Sequence, residues 1–564
     1  MAVNLFDHLD DSAVQGEGRL RWAPRAPYRP HERYDLMLVP RVKGWQEDAE
    51  ALAALDRIAA DPSVAEVARE GDEVWLRLEK SWVERAGSAL EEGDAGEAAL
   101  ADLAAGEGYA VYFWGANTTK ALHIGHLRNL AIGHAIGAAL QQAGARVERR
   151  SLICDVGRSM GEAMAGVVQS GRDSQVWPEG GEKSDHFVGS CYSEYVTAGR
   201  NGGGVGPTDD GAEDSLARES SLYKDRADEL IVSVLRGDQE ALELWSKTRA
   251  WVIGGQRKTL ARLGIAFDKV IFESDFLPEV AELSNQGLAE GKLVRRYGDE
   301  MVMYETGREE LEELPLVRAD GLPTQHMRAL AYWAAAPELD DMVSLQVCGN
   351  EWVSHVTCRR QLMDVLGVAN GNGYASRKGG GPPTHDVFHG MVARERQTIT
   401  SSKEGALLVD DLVEWLDEQI AAEAERAAVR GGHPAPERIA PQVTLGYFLL
   451  QPSTKRVDFD PDKLLWEDSS LGWDLARAQA HGGDGQALPG DAAEDPDYRW
   501  AVVQAEMYRR HLRSSVEKLD VLPLARYVSH FARWYVEEER PPEVERVVRS
   551  VLDQGQRGLG LEAA

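Results

Sequence analysis

Residues 108–153 constrain the fold more than any other part of the chain. GYAVYFW at 108–114 is a short apolar and aromatic run, the pattern of a strand buried on both faces. A helical pattern begins near residue 123 and extends to about Ala143, and a second apolar segment, VERRSLICDVG, follows as strand and loop. Strand, helix, strand in that order is the βαβ unit of a parallel nucleotide-binding sheet. Between the first strand and the helix lies Ala116-Asn117-Thr118-Thr119-Lys120-Ala121-Leu122-His123-Ile124-Gly125-His126. Open α/β sheets bind phosphate at such a junction, where free N–H groups and the helix dipole favour an anion. His123 and His126 are three residues apart and emerge on one face of the first turn. Gly125 removes a side chain between them, so a flat base or ribose can approach the backbone. Two imidazoles aimed at an α-phosphate can stabilise the charge that develops as a carboxylate attacks and pyrophosphate leaves. Four letters alone would be a weak signal; the strand-to-helix context makes them a specific one.

The rest of the chain organises around that unit. At 564 residues it is too long for one ordinary core. Residues 31–90 mix alternating runs (YDLMLVPRV, DEVWLRLE) with an Ala/Glu-rich helix, which predicts a small α+β domain within 1–100. A sheet domain is expected over 101–431, interrupted by long amphipathic helices that read as an insertion at about 162–260. From 432 to 564 the pattern is helical almost throughout. Gly/Pro/Asp-rich stretches at 199–214, 367–386 and 481–497 predict loops.

Several blocks together resemble class I arginyl-tRNA synthetases. ANTTKALHIGHLRNLAIG looks like that family's first signature, and SLICDVGRSMG, with Asp155, Gly157 and Gly161, resembles the next block. TLARLGIAFDKVIFESD (with Glu273-Ser274), VRADGLPTQHMRALAYW and VCGNEWVSHV are similar to three more. HDVFHGMVARERQTITSSKEGALLVDDLVEWLDE resembles the region of the second signature, and SSLGWDLARAQAH with the helices after it is similar to the anticodon-binding bundle. The resemblance implies a Rossmann-type α/β catalytic domain, a small α+β N-terminal domain of the tRNA-elbow kind and an all-α C-terminal anticodon-binding bundle. It implies a ligase that makes an aminoacyl adenylate from ATP, with Mg2+, and passes the acyl group to tRNA held by the C-terminal and N-terminal domains. A monomer is the family's common state. His123, Gly125, His126, Ser401, Ser402 and Lys403 would then contact ATP.

The chain departs from the family in two places. Where the class shows Lys-Met-Ser-Lys-Ser, it reads Thr398-Ile399-Thr400-Ser401-Ser402-Lys403. An ammonium must still face the transferring phosphates. Lys403 follows the motif, and Lys120, three residues before His123, stands where some arginyl-type enzymes with a weakened second signature carry a lysine; Lys120 is favoured. The second departure is the amino-acid pocket, for which Asn117, Asp155, Glu273, Gln325 and Ala329 are the expected residues. The family's fourth block normally holds a tyrosine and, four residues on, an aspartate that binds the guanidinium. Here those positions hold Gln325 and Ala329, and His326 through Trp333 contain no carboxylate. Losing one of two buried carboxylates would cost a bound guanidinium on the order of 3 kcal/mol, about a hundredfold in affinity. The expectation is an amino acid other than arginine, with the acyl group delivered to tRNA or to a small-molecule amine in a specialised, natural-product type of pathway. An ordinary arginine–tRNA ligase and a catalytically silent tRNA-binding paralogue are the alternatives.

Composition sets the remaining bounds. A formal charge of −31 argues against coating nucleic acid by bulk attraction, yet leaves room for local basic patches such as Arg509, Arg510, Arg513, Lys518, Arg526 and Arg533. Tyr508, Tyr527, Trp534 and Tyr535 interleave with these arginines and could stack on unpaired bases, though aromatics at helical spacing are more often core. Cys154, Cys191, Cys348 and Cys358 lack metal-ligand spacing, so neither a zinc site nor a disulfide framework is expected. No carboxylate cage for a metal is readable. No apolar run approaches the roughly 20 residues of a membrane span, and the acidic start lacks signal-peptide features, so a cytoplasmic protein is expected.

Overall fold

The buried run at 108–114 contains the central strand, Gly108–Tyr112, of a five-stranded parallel sheet. Across that sheet the strands run Thr384–His389, Val343–Gly349, Gly108–Tyr112, Arg146–Ile153 and Lys269–Phe272, each parallel to its neighbour. The computed structural model describes residues 22–562 except 41–44, 72, 92–99, 174–180, 202–211, 297, 299, 309–310, 336–341, 368–383, 395–396, 399–406, 430–438, 467, 482–487 and 489. From the central strand the chain first steps to one side, through Arg146–Ile153 to Lys269–Phe272, and later returns to fill the other side. The order therefore reverses between Gly108–Tyr112 and Val343–Gly349, and the crevice outside the carboxyl ends at such a reversal is where open α/β sheets hold ligands.

The signature helix, Ile124–Gln142, is buried on nearly all sides. A helix apolar all round needs neighbours all round. The sheet covers one side, and the helices Ala440–Leu449, Pro496–Lys518 and Pro542–Leu559 cover the other. Gly133 permits the closest approach, since a Cβ there would lie 2.1 Å from the Phe113 Cβ. Arg128, fully buried in this helix, donates to the carbonyls of Gly390, Pro452, Ser453 and Lys455 at 2.6–3.0 Å. One guanidinium thus ties the sheet's edge to the C-terminal segment.

Four helices, Arg158–Gln169, Ser184–Asn201, Ala212–Leu235 and Gln239–Arg262, separate the strands Arg146–Ile153 and Lys269–Phe272. Asp238 starts the last of them by accepting from the Ala241 N–H at 2.9 Å, an N-cap that ends one helix's loop and opens the next. A three-stranded antiparallel meander, Val294–Arg296, Met301–Arg308 and Leu311–Val317, was not evident from the sequence pattern.

Near the N-terminus a four-stranded antiparallel sheet is ordered Trp22–Arg25, Leu36–Pro40, Glu73–Leu78, Val64–Glu70 and packs with the helix Ala49–Ala59. Its Asp35 pairs with Arg499 of the C-terminal helix Pro496–Lys518 at 2.6 Å, both side chains only 5% exposed. C-terminal helices Leu471–Ala480, Pro496–Lys518, Leu522–Val536 and Pro542–Leu559 pack into a bundle. Tyr508, Tyr527, Trp534 and Tyr535 lie buried inside it, so they are core and do not offer faces to RNA bases. Arg533 from the basic cluster is engaged with Asp474 at 2.9 Å. Among the described residues no helix is long and apolar enough to cross a membrane, and all four cysteines are free.

Candidate functional site

A cavity of about 210 Å³ opens at the carboxyl ends of the strands, at the reversal point. Trp114, Gly115 and Asn117 after the central strand, Cys154 after the next, Glu273 after Lys269–Phe272, and Val347, Cys348 and Gly349 from Val343–Gly349 form its floor. Gly125 and His126 bring the start of the signature helix to one wall; Gln325, His326 and Ala329 bring the helix Gln325–Ala335 to another. A wider hollow elsewhere is walled by Asp411, Asp458, Asp460 and Asp462, and that charge makes it a poor seat for a triphosphate.

The two signature histidines cap their own helix. His123 Nδ1 accepts from the Gly125 N–H at 3.1 Å, and His126 Nδ1 accepts from the His123 N–H at 3.2 Å, a reciprocal capping box built of imidazoles. A neutral ring nitrogen that accepts carries no proton, which assigns the proton of each ring to Nε2. The rings stack with centroids 3.9 Å apart and planes 26° apart. Burial lowers the His123 pKa to about 4 and holds that of His126 well below its ordinary value, so both are neutral near pH 7. His123 Nε2 is buried with no hydrogen-bond partner among the described residues. His123 itself is not among the residues that line the cavity, whereas its stacked neighbour His126 is.

Lys120 stands beside the pair, and its charge contributes to lowering both histidine pKa values. Its ammonium lies 5.5 Å from the Tyr192 ring centroid, and burial lowers its pKa to about 8. Burial is the cause of that shift, with no carboxylate among the described residues acting on it. Ser401, Ser402 and Lys403 lie outside the described residues. The segment just beyond them is fixed to the signature: the Ile124 N–H donates to the Leu407 carbonyl at 3.0 Å and the Val409 N–H to the Leu122 carbonyl at 2.9 Å.

On the amino-acid side, Asn117, Glu273, Gln325 and Ala329 line the same cavity as Gly125 and His126. Asp155 does not, and its expected place in the pocket is corrected. It is fully buried, with Oδ2 accepting from Ser274 Oγ at 2.6 Å and pairing with Arg249 at 2.8 Å, while Oδ1 accepts from the Ser274 N–H at 3.0 Å. Its lone pairs are spent on fixing Ser274, the residue after Glu273. Glu273 is itself engaged by this chain's own cation: Arg328 Nε meets Glu273 Oε2 at 2.6 Å, both side chains 6% exposed. Arg328 also donates to the Pro323 carbonyl at 2.6 Å and to Cys154 Sγ at 3.2 Å, which immobilises the guanidinium.

Arg328 escaped the sequence reading although it adjoins Ala329, because spacing alone does not say which way a helical arginine points. His326, whose Nε2 lies 3.1 Å from His355 Nδ1, and Arg359, which donates to Gln346 at 2.6 Å, also face the cavity. These residues sit in or beside the fourth and fifth blocks, so the blocks were the available signal.

Comparison with known proteins agrees with this geometry. Residues 105–321 match the family described as tRNA synthetases class I (R), catalytic domain. The chain is 31% identical over 363 residues to an arginine–tRNA ligase of Amoebophilus asiaticus, covering 61% of this chain and 57% of that protein. It is 25% identical over 354 residues to the Borrelia hermsii arginine–tRNA ligase, covering 60% of this chain and 55% of that one. The match thus spans a little over half the length of these curated relatives. Among solved structures, the Thermus thermophilus arginyl-tRNA synthetase superposes with a TM-score of 0.67 at 19% identity, covering 99% of this chain and 97% of that one. The Plasmodium falciparum arginyl-tRNA synthetase does so with a TM-score of 0.60 at 13% identity, with the same coverage of both chains. Both are likenesses of fold.

Proposed function

The chain carries a class I tRNA synthetase catalytic domain of the arginyl type, and from that premise we propose that it uses ATP to make an aminoacyl adenylate of an amino acid other than arginine and passes the acyl group to tRNA. The substrate carboxylate attacks the α-phosphorus of ATP, the bond to the β-phosphate oxygen breaks, and pyrophosphate leaves. The Nε2–H groups of His123 and His126 donate to phosphate oxygens as negative charge builds there. Lys120, with Lys403, supplies the ammonium that accompanies the departing pyrophosphate. In the second step the 3′-adenosine hydroxyl of tRNA attacks the adenylate carbonyl and AMP leaves. Mg2+ would arrive with the phosphates; Glu273 is held by Arg328 at 2.6 Å, so it is not assigned to the ion. Residues 432–564 would hold the anticodon arm and residues 1–100 the tRNA elbow, in a monomer working in the cytoplasm.

The observation that carries the non-arginine reading is the cavity wall itself. Ala329 and Gln325 line it at the two positions where the resemblance to arginyl-type enzymes calls for a carboxylate and a phenol, and the nearby carboxylate of Glu273 already holds Arg328. A bound arginine would leave its cation part-paired in a buried site, a cost on the order of 3 kcal/mol. The neutral, partnerless Nε2–H of His123 argues for an active adenylating site over a silent tRNA-binding one.

An ATP–pyrophosphate exchange panel over the common amino acids, with and without tRNA, tests this. Exchange supported by a neutral or apolar amino acid and not by arginine is expected. Exchange supported by arginine alone means an ordinary arginine–tRNA ligase. ATP binding without exchange for any amino acid means a silent paralogue. Following a radiolabelled acyl group then separates tRNA from a small-molecule amine as the acceptor.

A further inference from the structure

The helical insertion meets the loop before His123 and the start of the helix Val409–Val429 through buried and half-buried polar groups that the adenylation chemistry does not use. On one side Gln256, fully buried in Gln239–Arg262, donates from its amide to the carbonyls of Lys120 at 2.7 Å and Asn117 at 3.1 Å. It therefore grips the backbone of the loop that presents Lys120 and leads into His123. Gly189 of Ser184–Asn201 packs against the same lysine, a Cβ there falling 3.0 Å from the Lys120 Cβ.

On the other side a second cluster meets the helix Val409–Val429, which begins just after the second signature region. Lys183 Nζ donates to Asp185 at 2.9 Å, Thr259 Oγ1 at 2.6 Å and Asp410 at 2.7 Å. His186 Nε2 lies 3.0 Å from Asp410, and Thr259 lies 3.0 Å from both Asp410 oxygens. Asp185 is fully buried and the Asp410 side chain is 14% exposed. Asp185, His186 and Asp410 could in other company ligate a metal, but the Lys183 ammonium already bonds both carboxylates. The cluster is thus satisfied internally, and what it does is mechanical. Asp410 follows Val409, whose N–H bonds the Leu122 carbonyl at 2.9 Å, one residue before His123.

The geometry points to Asp410 and Gln256 as positioning residues through which the helical insertion sets the loop that carries Lys120 and His123 against the segment Leu407 to Asp410, and so shapes the triphosphate side of the site. Asp410 fixes the start of the helix Val409–Val429; Gln256 fixes the loop. Neither touches the reacting atoms. The inference rests on the adenylation reading only for its catalytic consequence, because the clamp itself is a property of the fold.

Amide hydrogen exchange of the full chain, comparing Asp410→Asn and Gln256→Met with the parent, reads the clamp directly. Both substitutions keep side-chain size, and Gln256→Met keeps the fold testable if Asp410→Asn does not fold. The proposal expects protection of peptides spanning 122–126 and 407–412 to fall at least tenfold, while Pro496–Lys518 is unchanged. In pyrophosphate exchange with a mixture of the common amino acids, it expects kcat to fall at least tenfold with the KM for ATP changed less than threefold. Unchanged protection at both peptides overturns it, as does lost protection with full kcat. If the parent shows no exchange at all, the adenylation reading falls, and the protection data still decide whether the clamp exists.

Discussion

Replacing His123 separates two roles that one imidazole performs at once. Its Nδ1 accepts from the Gly125 N–H at 3.1 Å and caps the signature helix, while its Nε2–H is buried without a partner. His123→Ala removes both. Losing an N-cap acceptor costs about 1 kcal/mol of stability. Losing a donor aimed at transition-state charge costs about 2.7–4 kcal/mol, or roughly 10²–10³ in rate. His123→Asn removes only the second, because the asparagine oxygen can still cap the helix and its short side chain does not reach where Nε2 stood. The expected result is that His123→Asn melts within a degree or two of the parent, by about the precision of such scans, yet forms adenylate roughly 10²-fold more slowly. Stopped-flow or quench-flow measurement of pyrophosphate release in the first turnover, beside calorimetric melting of each variant, makes the comparison. A His123→Asn protein with the parent's rate would refute the assignment of Nε2–H to the phosphates. A rate loss that tracks the fall in melting temperature across both variants would mean the ring is a structural cap and nothing more.

Four further outcomes follow from the structure. Lys120, its pKa lowered to about 8 by burial, loses its charge as pH rises, so kcat/KM for exchange should fall about fivefold between pH 8 and 9; Lys120→Arg, which stays charged, should flatten that limb, and an unchanged limb shifts the ammonium role to Lys403. Ala329→Asp returns a carboxylate to the cavity wall and should raise arginine-dependent exchange at least tenfold, about 1.4 kcal/mol, in the amino-acid panel; no gain would place the selectivity elsewhere. Arg499→Ala strands Asp35 in a buried interface and should destabilise the N-terminal sheet's seat by about 3–5 kcal/mol, seen as a lower melting temperature, and an unchanged melt would contradict it. His123, His134 and His389 all have pKa values lowered to about 4 by burial, below the ordinary unfolded value, so the unfolded chain binds more protons between about pH 6.5 and 4. Stability should therefore hold at pH 7 and drain away through that window, partly opposed by His186, whose pKa is raised by Asp410; melting at pH 7 and pH 5 checks the sign.

The sequence by itself determined the part of this protein that local pattern controls. An apolar run, a turn of small and polar residues and a helix opening on His-Ile-Gly-His leave a chain little choice but strand, junction and crossover helix, and residues 108–153 fold that way. The identities of Gln325 and Ala329 were equally legible, and the fold adds that both line the cavity. Direction and partnership were not. Asp155 sits in a family block, yet its carboxylate is consumed by Arg249 and Ser274, which arrive from 94 and 119 residues away. Arg328 reads as an ordinary helical arginine until the fold brings Glu273 to its Nε. The interleaved aromatics of the last helices have spacing that serves core and RNA surface alike, and only packing against neighbouring helices turned them inward. A carboxylate's function depends on which cation reaches it first, and in a chain this long that is settled by contacts between residues far apart in sequence.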